Sequence, residues 1–231
     1  MLVNPGKLAN ELAQYKESVR FFSDTFLWHQ HDGFRDFIHN SAAAEIVAGV
    51  LESTKVNIIV DQFLIKEAGT DEPTVWHHDL TYWPLKGRQV VTLWLALDPV
   101  TEETGSMEFV KGSHLWGHLY RPVAFVEPTK YQTREPPVPD INARRDEFIR
   151  FDYEPGDCTI PHGLLVHARA ETRARSNDAA PMSRAGQVTT WSTIPGRIFK
   201  PCFGNRRCQW VGPSTAIYGP WSGRRPNRRS R

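Results

Sequence analysis

The sequence predicts a mainly β protein with flanking helices, a jelly roll or barrel with its helices packed outside. Short β-rich runs bounded by turn residues recur at 56–66, 89–97, 107–110, 158–168 and 187–194. Helical periodicity is confined to the N-terminal quarter, and helices followed by many short strands give that layered arrangement. Eight Trp and seventeen Pro in 231 residues also favour strands and structured loops over a helical bundle.

The elements follow in order. Leu8, Leu12, Tyr15, Val19, Phe22 and Phe26 recur at spacings of four and three, which predicts one amphipathic helix over 5–28. Asn4 can cap it, and Pro5 suits the first helical position. A second helix is expected over 42–51, where small residues suit close packing. The run 56–66 reads as a strand ending at turn residues 69–73, and the strand holding Trp76-His77-His78-Asp79 follows. Residues 89–97 (QVVTLWLAL) are nearly apolar, the pattern of a strand buried on both faces. Residues 118–147 carry five prolines and no clear period, as a lid or binding segment would. Pro155-Gly156-Asp157 is a turn launching a strand or strand pair over 158–168. One domain is expected over 1–231, with a helical part at 5–52, a β core at 56–212 and a basic tail at 213–231. There is no internal repeat.

Charge and cysteine content narrow the function classes. Of the formal +2 charge, Arg224, Arg225, Arg228, Arg229 and Arg231 crowd the last eight residues, so the remaining body is net negative. A folded nucleic-acid-binding face is not indicated, and a solvated basic end is expected. No apolar run approaches the ~20 residues of a membrane span, and the start lacks a signal-peptide pattern, so the expected location is cytoplasmic. Cys158, Cys202 and Cys208 are odd in number and form no CxxC pair, which favours free thiols.

Chemistry concentrates at His77-x-Asp79. Side chains at i and i+2 of a strand share a face, so His77 and Asp79 converge while His78 turns away. An imidazole and a carboxylate completed by a distant His make the facial ligand set of non-haem Fe(II) oxygenases. Among the nine histidines, His162 and His167 are the candidates for the third corner. Their odd separation puts them on opposite faces of one regular strand, and periodicity does not choose between them.

Four stretches together resemble the phytanoyl-CoA dioxygenase family of Fe(II)- and 2-oxoglutarate-dependent oxygenases. They are KEAGTDEPTVWHHDLTYW (66–83), TLWLALDPVTEETGSMEFVKGSHLWG (92–117), PGDCTIPHGLLVHA (155–168) and RAGQVTTW (184–191). The resemblance implies a double-stranded β-helix, with iron held by His77, Asp79 and His167, the His closing the strand after Pro-Gly-Asp. It implies 2-oxoglutarate and O₂ as cosubstrates, with succinate and CO₂ formed. The retained carboxylate Asp79 points to hydroxylation, since related halogenases lack it.

The 2-oxoglutarate anchor departs from the family pattern. Asp178 stands where relatives place an arginine after the distal His, and Arg184 follows what reads as an insertion. A guanidinium fork suits a carboxylate, so Arg184 is the expected anchor, with Arg169, Arg173 and Arg175 as alternatives. Lys66 and Trp94 resemble further cosubstrate positions. Arg169, on the face of His167, departs from the small residue of relatives and is a candidate for contact with 2-oxoglutarate; His78, Tyr82 and Trp83 are candidates for the substrate wall. The family's N-terminal strand is not evident here, which leaves a sheet edge open or covered by another subunit. The expected protein, a monomer or homodimer, oxidises a C–H bond of a small organic substrate. The alternatives are a cupin-type divalent-metal hydrolase or isomerase and a catalytically inactive jelly-roll binding protein.

Overall fold

The computed structural model describes residues 10–15, 19–66, 74–83, 85, 87–102, 104–123, 133–141, 143, 148–169, 184–192 and 208–211. Among these residues two sheets face each other, and their strands are counted there. The larger has seven strands: β1 (Asn10–Tyr15), β2 (Val19–Thr25), β3 (Asn57–Lys66), β10 (Arg184–Ser192), β5 (Val90–Ala96), β8 (Cys158–Pro161) and β11 (Cys208–Val211), in that spatial order. The smaller has four: β4 (Thr74–His77), β9 (His167–Arg169), β6 (Met107–Val110) and β7 (Phe148–Arg150). This is the expected double-stranded β-helix.

Alternation along the strands builds three layers of core. From β5, Ala96 and Trp94 point between the sheets, where they pack with Phe109, Phe151, Tyr153 and Leu165. The alternate residues Val91 and Leu93 point outward, onto helices α1 (Asp32–Asn40) and α2 (Ala43–Val50) through Ile38, Ala43, Ala44 and Val47. That is why 89–97 reads as apolar throughout. A third cluster covers the outer face of the small sheet: Val110, Val166, Trp76 and Phe148 pack against Trp116, Tyr120, Val138 and Ile141.

The N-terminal helix expected over 5–28 is instead a β-hairpin, β1 with β2, pairing Tyr15 with Val19 and Asn10 with Ser23. A 4–3 spacing of apolar residues is compatible with a helix, but Val19, Phe21, Phe22 and Thr25 are aromatic or β-branched and favour strands. Tertiary pairing decides: β2 lies along β3 from Phe21↔Lys66 to Thr25↔Gln62, covering what would be a bare sheet edge. The N-terminal strand absent from the expected elements is therefore present. Helix α1, unlike α2, has no counterpart among the expected elements, since only its aromatic residues 34–38 attract notice in the sequence.

One further expectation is decided between its alternatives and another changes. Residues 158–168 are two strands in different sheets, joined through a turn at 163–164. Cys158 is not a free thiol but disulfide-bonded; Cys208 stands opposite it in the β8–β11 register. The described parts of the proline-rich segment, 118–123 and 133–141, form a strap behind the small sheet, tied by the Arg121 N–H donating to the Pro136 carbonyl at 2.8 Å. The remainder of the expected lid, 124–132, 142 and 144–147, and the tail 213–231 lie outside the described residues.

Candidate metal centre

The first strand of the small sheet ends at His77, and Asp79 opens a 3-10 turn, Asp79–Tyr82. His78 between them keeps an extended backbone (φ −133°, ψ 151°). Strand alternation thus persists one residue beyond the strand and delivers Asp79 to the face of His77. The Leu80 N–H donates to the Gly163 carbonyl at 2.7 Å, fastening the turn to the loop before β9.

Antiparallel pairing chooses the third corner. His77 and His167 are register partners between β4 and β9, so their side chains emerge side by side on one face. Their ring centroids are 4.3 Å apart. Asp79 Oδ1 lies 3.7 Å from His77 Nε2 and 3.6 Å from His167 Nε2. One donor atom from each residue lies within 4.8 Å of the others, and no other group of this kind is found among the described residues. His162 belongs elsewhere. It bridges to Val91 of the large sheet, donates from Nε2 to the Arg88 carbonyl at 2.6 Å and accepts the Leu164 N–H at 3.0 Å.

The atoms facing away from the cluster are all engaged. His77 Nδ1 donates to the Val75 carbonyl at 2.7 Å, and His167 Nδ1 to the Leu165 carbonyl at 2.9 Å. A carbonyl only accepts, so each ring carries its proton on Nδ1 and presents the Nε2 lone pair inward. Thr92 Oγ1 donates to Asp79 Oδ2 at 2.6 Å, leaving Oδ1 for the cluster. Burial, reinforced by the neighbouring His167, pushes the His77 pKa down to about 4, which keeps its imidazole neutral. Two imidazoles and one carboxylate with oriented donor atoms suit a divalent transition-metal ion.

The other expected site residues separate. Arg169 shares the face of His167, and its Nε donates to the Gly105 carbonyl at 2.7 Å. Trp94 packs in the inter-sheet core, edge-on to Tyr153 with centroids 4.9 Å apart. His78 points away from the cluster, is 1% exposed, and accepts the Tyr120 N–H on Nε2 at 3.1 Å. Burial lowers its pKa to about 4 as well, against the opposing pull of Asp79. Tyr82 stands edge-on to His77 with centroids 5.9 Å apart. Trp83 is half-buried, with its indole N–H enclosed and unpartnered among the described residues. The side chains of Lys66 and Arg184, like Arg173 and Arg175 entirely, lie outside the described residues, but the backbones of Lys66 and Arg184 are register partners. Position 184 follows Thr190, Val188 and Gly186 in alternation, and these pair with Thr92, Trp94 and Ala96 on the inward face.

Thr92 and the carbonyls of Val75 and Leu165 were not among the expected site residues. The carbonyls leave no mark in a sequence. Thr92 does leave a faint one: it is the sole hydroxyl in QVVTLWLAL, and a buried hydroxyl needs a partner.

A double-stranded β-helix with a His–Asp–His cluster between its sheets defines a metal-centre protein of the cupin-like class. The family model for phytanoyl-CoA dioxygenase matches residues 11–176, and the chain belongs to that family. It is 27% identical over 114 residues to phytanoyl-CoA dioxygenase 1 of Oryza sativa subsp. japonica, covering 49% of this chain and 39% of that protein. A phytanoyl-CoA dioxygenase domain-containing protein of Danio rerio is 26% identical over 160 residues, 66% of this chain and 51% of the relative. The chain thus spans about half the length of the curated relatives it matches, or less. Among solved structures, EctD from S. alaskensis superposes with a TM-score of 0.58 at 16% identity, over 83% of this chain and 63% of the other. SnoN, an epimerase crystallised with Fe3+ and alpha ketoglutarate, gives 0.58 at 20% identity over 87% and 82%. The carbocyclase SnoK gives 0.57 at 19% identity over 80% and 68%. At these identities the likeness is one of fold.

Proposed function

We propose that the protein is an Fe(II)- and 2-oxoglutarate-dependent dioxygenase that hydroxylates, or otherwise oxidises, a C–H bond of a small organic substrate. Succinate and CO₂ are the coproducts of this reading. The observation that carries it is the convergence of His77 Nε2, Asp79 Oδ1 and His167 Nε2, with every outward-facing donor or acceptor already used. Iron bound there supplies the capacity to couple 2-oxoglutarate oxidation by O₂ to attack on an unactivated C–H bond. His77, Asp79 and His167 would hold the ion by three donor atoms and would leave room on it for cosubstrates.

The chain's own residues do the rest. Val75, Leu165 and Thr92 hold the three ligands in their binding orientation, so little reorganisation accompanies metal uptake. Phe109, from the inter-sheet core, sets its ring 6.0 Å from that of His167 and backs the cluster with hydrocarbon. Arg184 is the proposed anchor for the distal carboxylate of 2-oxoglutarate. Lys66 and Arg184 stand directly opposite in register, and two like charges so placed are unfavourable unless an anion lies between them. Arg169 is the second candidate cation, on the His167 face. Among the fold neighbours, one is described as a carbocyclase and another as an epimerase, which supports keeping "otherwise oxidises" in the proposal.

Anaerobic addition of Fe(II) and then 2-oxoglutarate is expected to raise a weak visible charge-transfer band. His77→Ala should abolish it. Arg184→Ala should shift its appearance to at least about tenfold higher 2-oxoglutarate, as loss of a bidentate charge-assisted pair implies. Turnover of a substrate without O₂, or no band in the parent protein, would replace this reading with a hydrolase, an isomerase or a binding protein.

A further inference from the structure

The turn that carries Asp79 also holds the strap behind the small sheet. Four hydrogen bonds join them, each spanning about forty residues of chain. The Tyr120 N–H donates to His78 Nε2 at 3.1 Å, and Thr81 Oγ1 donates to the Tyr120 carbonyl at 2.8 Å. The Tyr82 hydroxyl donates to the Val123 carbonyl at 2.8 Å and accepts the Val123 N–H at 3.1 Å. Residues 120 and 123 are thereby held at both their backbone donor and their backbone acceptor. Tyr120 itself is buried among Val110, Val166 and Ile141, so the strap is a fixed body against which the turn can be braced. On the other side, the Tyr82 ring meets the His77 imidazole edge-on, at 73° between planes and 5.9 Å between centroids.

On the metal-centre reading given above, we propose that Tyr82 is a positioning residue for His77. Its hydroxyl is pinned by the Val123 backbone, and its ring fixes the tilt of the imidazole that presents Nε2 to the metal. The Val75 carbonyl sets which nitrogen faces inward, and Tyr82, together with the His167 ring 4.3 Å away, sets the plane. His78 and Thr81 bond to the strap instead. They hold Tyr120, and through it the strap that immobilises Tyr82. The strap thus helps to shape the metal centre without contributing a ligand.

Co(II), whose d–d spectrum reports ligand geometry, serves as the probe, together with amide hydrogen exchange in the metal-free protein. Tyr82→Phe keeps the ring and removes the pinning hydroxyl; Tyr82→Leu removes both. Faster exchange at Val123 is expected in either variant. Co(II) binding should weaken about tenfold in Tyr82→Leu, the size of an outer-contact effect, with a smaller loss and an altered d–d envelope in Tyr82→Phe. Thr81→Val, which breaks a neighbouring strap contact, should speed exchange at 120–123 while leaving the d–d envelope closer to that of the parent. If both Tyr82 variants bind Co(II) with parental affinity and spectrum, Tyr82 merely holds the strap and the inference is overturned alone. If the parent protein binds no Co(II), the metal-centre reading fails and takes this inference with it.

Discussion

Thr92 and His114 illustrate how much a single buried polar group decides here. Thr92 is 3% exposed and gives its only donor to Asp79, so its loss frees that carboxylate to rotate. Thr92→Val, close in volume, is expected to weaken Fe(II) or Co(II) binding about tenfold while leaving the unfolding midpoint of the apoprotein nearly unchanged; anaerobic metal titration checks it. His114 is 2% exposed with both ring nitrogens unpartnered among the described residues, and its ring lies 5.5 Å from that of His162. Burial, and then the neighbouring His162, holds its pKa below the usual 6.5; burial lowers His162 too. The unfolded chain therefore binds protons in a range where the folded one does not, so stability is complete above about 6.5 and falls as the pH drops below it. His114→Leu should flatten that acid limb, read as a smaller loss of melting temperature between pH 7 and pH 5 than in the parent.

Asp61 organises a whole element from a distance. Phe26, in the left-handed region (φ 56°), turns the chain out of β2 into the 3-10 turn Leu27–His29. No local side chain caps that turn; Asp61 on β3 accepts the Trp28 N–H at 3.0 Å while its own carbonyl accepts the Phe26 N–H at 3.0 Å. Burial raises the Asp61 pKa above the usual 3.8, so the carboxylate is a cost to the fold that grows as pH rises through its folded value. Asp61→Ala should lower stability by about 1–2 kcal/mol through the lost cap. Asp61→Asn, which keeps an acceptor without the charge, should match or exceed the parent at pH 7. Urea melts of the pair separate the two effects. A similar long-range tie links β6 and β7, where Arg150 pairs with Glu108 and reaches Glu102 at 2.7 Å.

The molecule as a whole rests on which strands lie side by side. Strand β11 runs parallel to β8 at the rim of the large sheet, with Cys208 opposite the disulfide-bonded Cys158. If these two are partners, closing a loop of about fifty residues stabilises the fold by about 2–4 kcal/mol. Reducing the parent with dithiothreitol should lower its unfolding midpoint. Cys208→Ser should abolish that sensitivity, and Cys202→Ser should leave it intact. Among the described residues no helix is long and apolar enough to cross a membrane.

Much of this was legible in the chain alone. Short β-rich runs, alternating in part of β3 and apolar throughout β5, placed β3, β5, β6 and β10, and the His77-x-Asp79 pattern located two members of the cluster, because those signals reside in neighbouring residues. The family motifs selected His167, but the physical basis of that choice lay in the β4–β9 register, which sets residues ninety positions apart on one face. Likewise the tautomers of His77 and His167, the hold of Thr92 on Asp79, the conversion of a helix-like stripe into an edge hairpin and the pairing of Cys158 all depend on partners distant in sequence. Local pattern dictates which face a side chain takes; only the packed sheets determine what stands opposite it.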